Sequence, residues 1–411
     1  MKNTRAASRA DGNRLSPAFY PFLAMISCFS MVQLVHNTFL STYTLAATGS
    51  TQNVQIFNIL LAACQPVAMV AAVAMVRRVS ALRAQQLGLL LIVLINVYLF
   101  VAVDRAAEHI FAVSVVQSTA NGFYFTTYAC QFVSYTANEN RDRASGLANL
   151  VTNVLSLLFS LGSSVLFGVY PGGAGYRILF LVAFAVSVAA LALSFRLEPL
   201  RGEESGRTMY YLYAHRVFWR NRWACASLLV STLDGMRAGV MAFFLNVLLY
   251  SMVDSEALVG VNTLITTLCS IVAFAIYARA VGVHRRYRSA QWSIFAMLLA
   301  TLGLMAWMDP VSIMAYSAIN AFMLPFYSTP LLNVYWTVLE KLPELEKCRA
   351  ETHAAREVYY GLGRVAGVVL TMLLPATGVG AAMALLCLMG AQYLGLYLSR
   401  GVMRDLDQIP L

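Results

Sequence analysis

Twelve apolar stretches set the terms for this chain, because each is close to the roughly 20 residues that an α-helix needs to cross a bilayer. They run near 18–40, 53–76, 85–103, 110–135, 147–169 and 176–195. After a polar break they resume near 223–250, 257–281, 289–307, 311–335, 355–375 and 378–400. The runs are long and unbroken, unlike the alternating ten-residue segments of a membrane β-barrel. Composition agrees: 59% of the 411 residues are hydrophobic and only 12% are charged, against about 25% charged in soluble domains. Mean hydropathy is +0.67. A soluble enzyme and a disordered chain are excluded. The expected fold is an all-α membrane protein of about 12 transmembrane helices in two six-helix bundles. The expected division is 1–195 (with a polar tail at 1–17), a linker at 196–222, and 223–411.

The net charge of +10 is distributed by topology. With the N-terminus inside, the inner segments hold 25 of the 29 basic residues, in clusters such as Arg77, Arg78, Arg83 and Arg285, Arg286, Arg288. Arg105 and Arg177 fall outside, and Arg237 and Arg364 lie within spans. The positive-inside rule then predicts a multi-pass protein of the cell membrane with both termini cytoplasmic. No free basic domain is left for nucleic acid. The basic, polar start MKNTRAASRADGNRLSP reads as a cytoplasmic tail and not as a signal peptide. The seven cysteines show no CxxC or Cys/His ligand spacing, so no disulfide framework, metal or cofactor is expected. The linker's tail, YYLYAHRVFWRNR, reads either as an amphipathic helix on the inner surface or as an ordinary basic linker.

The halves echo each other. Asn121-Gly-Phe-Tyr-Phe-Thr-Thr-Tyr128 in the fourth span matches Asn320-Ala-Phe-Met-Leu-Pro-Phe-Tyr327 in the tenth at its Asn, Phe and Tyr. Gly146-Leu147-Ala-Asn149 opens the fifth span and Gly361-Leu362-Gly-Arg364 lies near the start of the eleventh. Short basic clusters follow the second and eighth spans. Two parallel halves, related by a pseudo-two-fold axis along the membrane normal, account for these matches. In this 6+6 plan, with its basic 2–3 and 8–9 loops and longer central loop, the chain resembles the major facilitator superfamily over nearly its whole length. The resemblance implies a secondary transporter whose two bundles rock around a midplane cavity. The family's loop pattern, Gly-x-x-x-Asp-x-x-Gly-Arg-Arg, is reduced here to Val76-Arg77-Arg78-Val79-Ser80-Ala81-Leu82-Arg83 and Ala280-Val281-Gly282-Val283-His284-Arg285-Arg286.

Polar side chains in a span face the bundle interior or a cavity, since hydrocarbon offers them no partner. Ser114, Gln117, Asn121, Tyr124, Tyr128, Gln131 and Tyr135 are spaced 3 or 4 apart and form one stripe on the fourth span. It reads as cavity lining, with interhelical hydrogen bonding as the alternative. The first span carries Gln33, His36 and Asn37. Asn149, Thr152, Asn153, Ser156, Ser160 and Ser163 on the fifth read as close packing. The tenth span adds Asn320 and Tyr327, with Pro325 and Pro330 able to bend it.

Asp234 and Arg237 lie deep in the seventh span, where a charge costs about 2.5–3.5 kcal/mol on insertion scales. At i and i+3 they can pair with each other; otherwise Asp234 is a proton site and Arg237 a substrate anchor. Burial favours the protonated carboxyl and a tight pair with Arg237 the ionised one. In the eleventh span Arg364 requires either a partner from another helix, such as Asp234, or an anionic ligand. Glu351, Arg356 and Glu357 read as a gate or inter-bundle bridge at the inner mouth. Glycines 361, 363 and 367 point to close packing or bending.

No nucleotide loop, metal cluster or nucleophile elbow is present in the sequence, so an enzyme is not expected. The expected function is secondary active transport of a small organic solute with an anionic group, driven by protons or another coupling ion. The expected substrate contacts are Gln33, His36, Asn37, Gln117, Asn121, Tyr124, Tyr128, Arg237, Asn320, Tyr327 and Arg364. Asp234 is the expected proton site. The alternatives are export of amphipathic compounds and a transporter-fold protein that senses or assembles instead of transporting. The expected partners are solute, coupling ion and lipid bilayer. Oligomeric state is not legible, and a monomer is assumed.

Overall fold

The computed structural model describes residues 15–136, 141–198, 210–281, 285–340, 342, 349–374 and 378–407. The tail to residue 14, the middle of the linker at 199–209, residues 282–284 of the second basic loop, Lys341, Lys347 and Cys348 lie outside the described residues. So do the side chains of Arg141, Arg143, Arg279, Asn333, Arg349 and Arg404. Thirteen helices are described: α1 (Phe19–Thr48), α2 (Thr51–Arg78), α3 (Ala81–Val101), α4 (Ile110–Tyr135), α5 (Arg141–Val169), α6 (Gly173–Ser194), α7 (Tyr211–Arg220), α8 (Arg222–Val253), α9 (Glu256–Ala280), α10 (Arg286–Ala306), α11 (Pro310–Glu340), α12 (Arg349–Leu373) and α13 (Gly378–Asp407). Ten of them are long and apolar enough to cross a membrane by length and composition. The other long helices, α4 and α12, carry the polar stripes that lower their apolarity. The protein is a multi-pass membrane protein of all-α fold.

Two helices depart from the spans read in sequence. The first span does not stop near residue 40. It passes through a π-helical turn, His36–Leu40, and continues to Thr48. Its polar run looks like a helix end, but the hydroxyls satisfy themselves on the preceding turn: Thr42 on the Thr38 carbonyl at 3.0 Å and Thr44 on that of Leu40 at 2.7 Å. α8 is interrupted at Ala242 and Phe243 between Arg222–Met241 and Phe244–Val253, with no proline or glycine at the break itself and Gly239 three residues before it.

Short connections are fixed by caps. Ser50, Ser80 and Ser255 each accept the backbone N–H three residues on. At the head of α11, Asp309 accepts from Ser312 at 2.8 Å. The Ser312 side chain and backbone together hold this exposed carboxyl below its usual range.

Helix pairings repeat between halves. In the first bundle α1 packs on α5 and α6, α2 on α4, and α3 on α4 and α6. In the second, α8 packs on α12 and α13, α9 on α11, and α10 on α11 and α13. This is the pseudo-two-fold relation, with α1–α6 matching α8–α13. The bundles meet along two seams, α2 with α12 and α5 with α9. The end away from the basic loops is closed by an apolar cluster drawn from both bundles, including Leu45, Val54, Phe243, Val247, Tyr250 and Val368. α7 is the amphipathic helix of the linker. It buries Ala214, Val217 and Phe218, stacks Phe218 on Tyr335, and donates the Trp219 indole N–H to the Tyr359 hydroxyl at 2.8 Å.

Candidate functional site

Half-way along the molecule a cavity of about 600 Å³ lies between the bundles. The second bundle supplies most of its wall. Asp234 and Arg237 come from α8, beside the break, and Asn320 from α11. Asn246 and Asn262 add amides, and Tyr360 of α12 adds a ring. The first bundle contributes Leu34 of α1 with Asn153 and Ser156 of α5. Hydroxyl groups of α9 and α11 fill much of the remainder, including Thr266, Thr267, Ser270 and Ser317.

Arg237 is the main electrostatic feature. It is 3% exposed, and its Nη2 donates to Asn320 Oδ1 at 2.7 Å, while its Nε has no partner. A guanidinium has five N–H donors, so a neutral amide leaves it far from satisfied. Asp234 is one turn away, yet among the described residues no hydrogen bond or ion pair joins it to Arg237. The self-neutralising pair open from the sequence is therefore not formed. Arg237, Arg356 and Glu357 are the charges close enough to act on Asp234. Of these, Arg356 and Glu357 bridge each other at 2.9 Å.

The repeated asparagines do the same work in both halves. Asn121 accepts from Gln33 Nε2 at 2.6 Å, as Asn320 accepts from Arg237 at 2.7 Å. Each ties the fourth helix of its bundle to the first. The donor is neutral in one half and cationic in the other, so the charge of the cavity belongs to the second bundle.

The remaining residues singled out in sequence are scattered. The α4 stripe faces its own bundle and is absent from the cavity wall. Tyr124 stacks on Phe29 with ring centroids 3.4 Å apart, and Tyr128 lies over Phe22 at 5.8 Å. Gln131 donates to Gln85 at 2.5 Å, and Ser114 bonds the Phe57 carbonyl at 3.1 Å. Gln117 is fully buried without a partner for its amide. His36 bonds Asn96 at 3.0 Å, Asn37 is exposed, and Tyr327 is buried in an apolar cluster with Val230 and Met297. Arg364 reaches neither Asp234 nor the cavity wall. Its Nη1 donates to Gln65 Oε1 of α2 at 3.0 Å, across the seam.

The basic end of that seam is held by Glu351, whose carboxylate accepts from Arg77 Nε and Nη2 at 3.0 Å each. Arg356 lies over the rings of Tyr335 and Tyr360. Bidentate arginine–carboxylate pairs are among the stronger polar contacts, and Glu351 is fully buried. Glu351→Gln is expected to loosen this end. A cysteine placed at Ala354, buried against Met69 and Val73, should then react with a maleimide several-fold faster than it does beside native Glu351. An unchanged rate would remove the bridge as a gate.

Several wall residues were legible but not picked out. Asn262, Thr266 and Ser270 lie four apart on α9, and Ser317 and Ser328 share a face of α11 with Asn320, which was picked out. Both are polar stripes of the kind noted on α4.

No family model matches the chain. Among curated proteins it is 19% identical over 348 residues, 85% of its length and 80% of the other's, to the uncharacterized protein YqgE of Bacillus subtilis (strain 168). It is 20% identical over 166 residues to an uncharacterized protein in the sodM 3' region of Geobacillus stearothermophilus, covering 40% of this chain and 78% of that one. Among solved structures, the nucleoside transporter NupG superposes with a TM-score of 0.69 at 13% identity, covering 93% of this chain and 99% of that one. The chain shares the fold of that transporter. A D-xylose-proton symporter gives a TM-score of 0.64 at 9% identity, covering 92% of this chain and 96% of that one. A structure concerned with substrate recognition in proton dependent oligopeptide transporters gives 0.72 at 11% identity, covering 95% and 99%.

Proposed function

We propose that this protein is a secondary active transporter that carries a small polar solute with an anionic group across the cell membrane by alternating access. The moving bodies are 1–195 and 223–411, joined by 196–222, with both termini and the basic end in the cytoplasm. Asp234 is the proton site. The observation that carries the reading is Arg237, a buried cation on the cavity wall whose bonded partner is the neutral Asn320. A desolvated charge needs a counter-charge, and a bound anion supplies it. Proton coupling is supported by the carboxyl of Asp234 on the same wall, and by the likeness in fold to a D-xylose-proton symporter and to a structure concerned with proton dependent oligopeptide transporters. The amide and hydroxyl groups of the wall, with Tyr360 as its aromatic ring, favour a polar solute over the amphipathic one of an exporter.

Thermal unfolding of the detergent-purified protein against metabolites sorted by charge tests this, because a ligand that binds the folded state raises its apparent stability. Small anions are expected to raise the unfolding midpoint of the wild type, and Arg237→Gln is expected to lose that shift. A shift produced by lipophilic cations or neutral amphiphiles alone would overturn the reading in favour of export.

A further inference from the structure

Two opposite charges stand on one wall of the cavity without meeting. Asp234 and Arg237 occupy successive turns of the same face of α8, both line the cavity, and neither is paired to the other. Residues three apart on a helix have Cβ atoms about 5–6 Å apart, near enough that a small molecule can touch both. The other charges near Asp234 are already engaged: Arg356 and Glu357 hold each other at 2.9 Å. The phenols that face it, Tyr327 and Tyr360, carry no charge as phenols.

A simple anion would satisfy Arg237 and bring a second negative charge beside Asp234, where like charges in a desolvated site repel. A simple cation would do the converse. A molecule carrying both signs satisfies both walls at once. We propose that the solute is a compact zwitterion, its carboxylate on Arg237 and Asn320 and its ammonium group on Asp234, with charges separated as in an α- or β-amino acid and not as at the two ends of an extended chain. The amides and hydroxyls of Asn246, Asn262, Thr266 and Ser317 receive the polar remainder. This rests on the reading of Arg237 as an anion anchor and adds the second charge. It also gives Asp234 two alternative occupants, a proton or the ammonium group, so that binding one releases the other.

The test uses purified full-length protein and amino acids in charge-matched sets. Each amino acid, β-alanine included, is compared with its N-acetyl form (carboxylate only) and its amide (ammonium only) by thermal unfolding. One or more zwitterions should raise the wild-type midpoint, and both derivatives should bind about tenfold more weakly or worse, as expected for loss of one charged hydrogen-bonding partner. Asp234→Asn should abolish the preference for the free amino acid over its N-acetyl form. Arg237→Gln should abolish the preference over the amide. An N-acetyl form that binds the wild type as well as its parent overturns the zwitterion and leaves the anion anchor standing. So does binding by other small anions when no amino acid binds. A zwitterion shift that survives both substitutions places the ligand elsewhere and also overturns the inference. If neither anions nor zwitterions bind, the anchor reading fails with it.

Discussion

Asp234→Asn is expected to abolish accumulation of solute against its gradient, with a loss of at least tenfold, while the amount and thermal stability of the folded protein stay at the wild-type level or rise. The first part follows from position: Asp234 is the acidic side chain among the described residues of the cavity wall, and the proposed coupling assigns it the proton. The second follows from its lack of a bonded partner. Removing one member of a buried salt bridge is costly because it strands the other charge, typically about 3–5 kcal/mol. Asp234 forms no such bridge with Arg237 among the described residues, so its neutral isostere strands little and removes the cost of holding a charge away from water. Uptake into proteoliposomes under an imposed pH gradient, with the melting curve of the same preparation, measures both. Unchanged pH-driven uptake would remove Asp234 from coupling. A large fall in stability would make it a structural counter-charge to Arg237.

The second large effect is on assembly. Gly363→Val is expected to deplete folded protein, with an overpacking cost of about 1–3 kcal/mol or more. The reason is the contact of α8 with α12. Gly235 and Gly239 on α8 and Gly363 and Gly367 on α12 interleave so closely that each faces a backbone carbonyl of the other helix: those of Tyr360, Arg364, Thr232 and Met236 in turn. A Cβ at Gly363 would collide with the Thr232 carbonyl oxygen, and one at Gly239 would lie 2.5 Å from that of Arg364. Small residues let membrane helices approach in this way. Rigid backbone on both sides leaves no flexible side chain to move aside, so the helices must separate. That separation would also displace Tyr360 and Arg237 at the cavity wall. Gly303→Ala on α10, where an added Cβ meets nothing within 4 Å, is the control and should leave the protein unchanged or slightly more stable. Detergent size-exclusion profiles and melting midpoints of the two variants distinguish the outcomes. A monodisperse Gly363→Val protein with a wild-type midpoint would show that the glycine contact is not limiting.

The sequence by itself determined the architecture. The length of each apolar run is imposed by the bilayer, the asymmetry of arginines by the membrane's two faces, and the six-plus-six repeat is written in the matched motifs of the two halves. These are one-dimensional constraints, readable without knowing which helix touches which. Asp234 and Arg237 were legible for the same reason, since a charge inside a span is exceptional wherever the span packs. Tertiary structure decided what those residues face. The α4 stripe and the wall of α9 have the same periodicity, yet α4 turns its polar face to α1, α2 and α3 and α9 turns its own to the cavity. Arg364 and Arg237 are both membrane arginines, but one reaches Gln65 across the seam and the other is buried on the cavity wall against Asn320. Periodicity fixes the existence of a polar face and leaves its direction free. That direction depends on the rotation of each helix within its bundle, which is set by contacts between residues far apart in the chain, such as the glycine seam of α8 and α12.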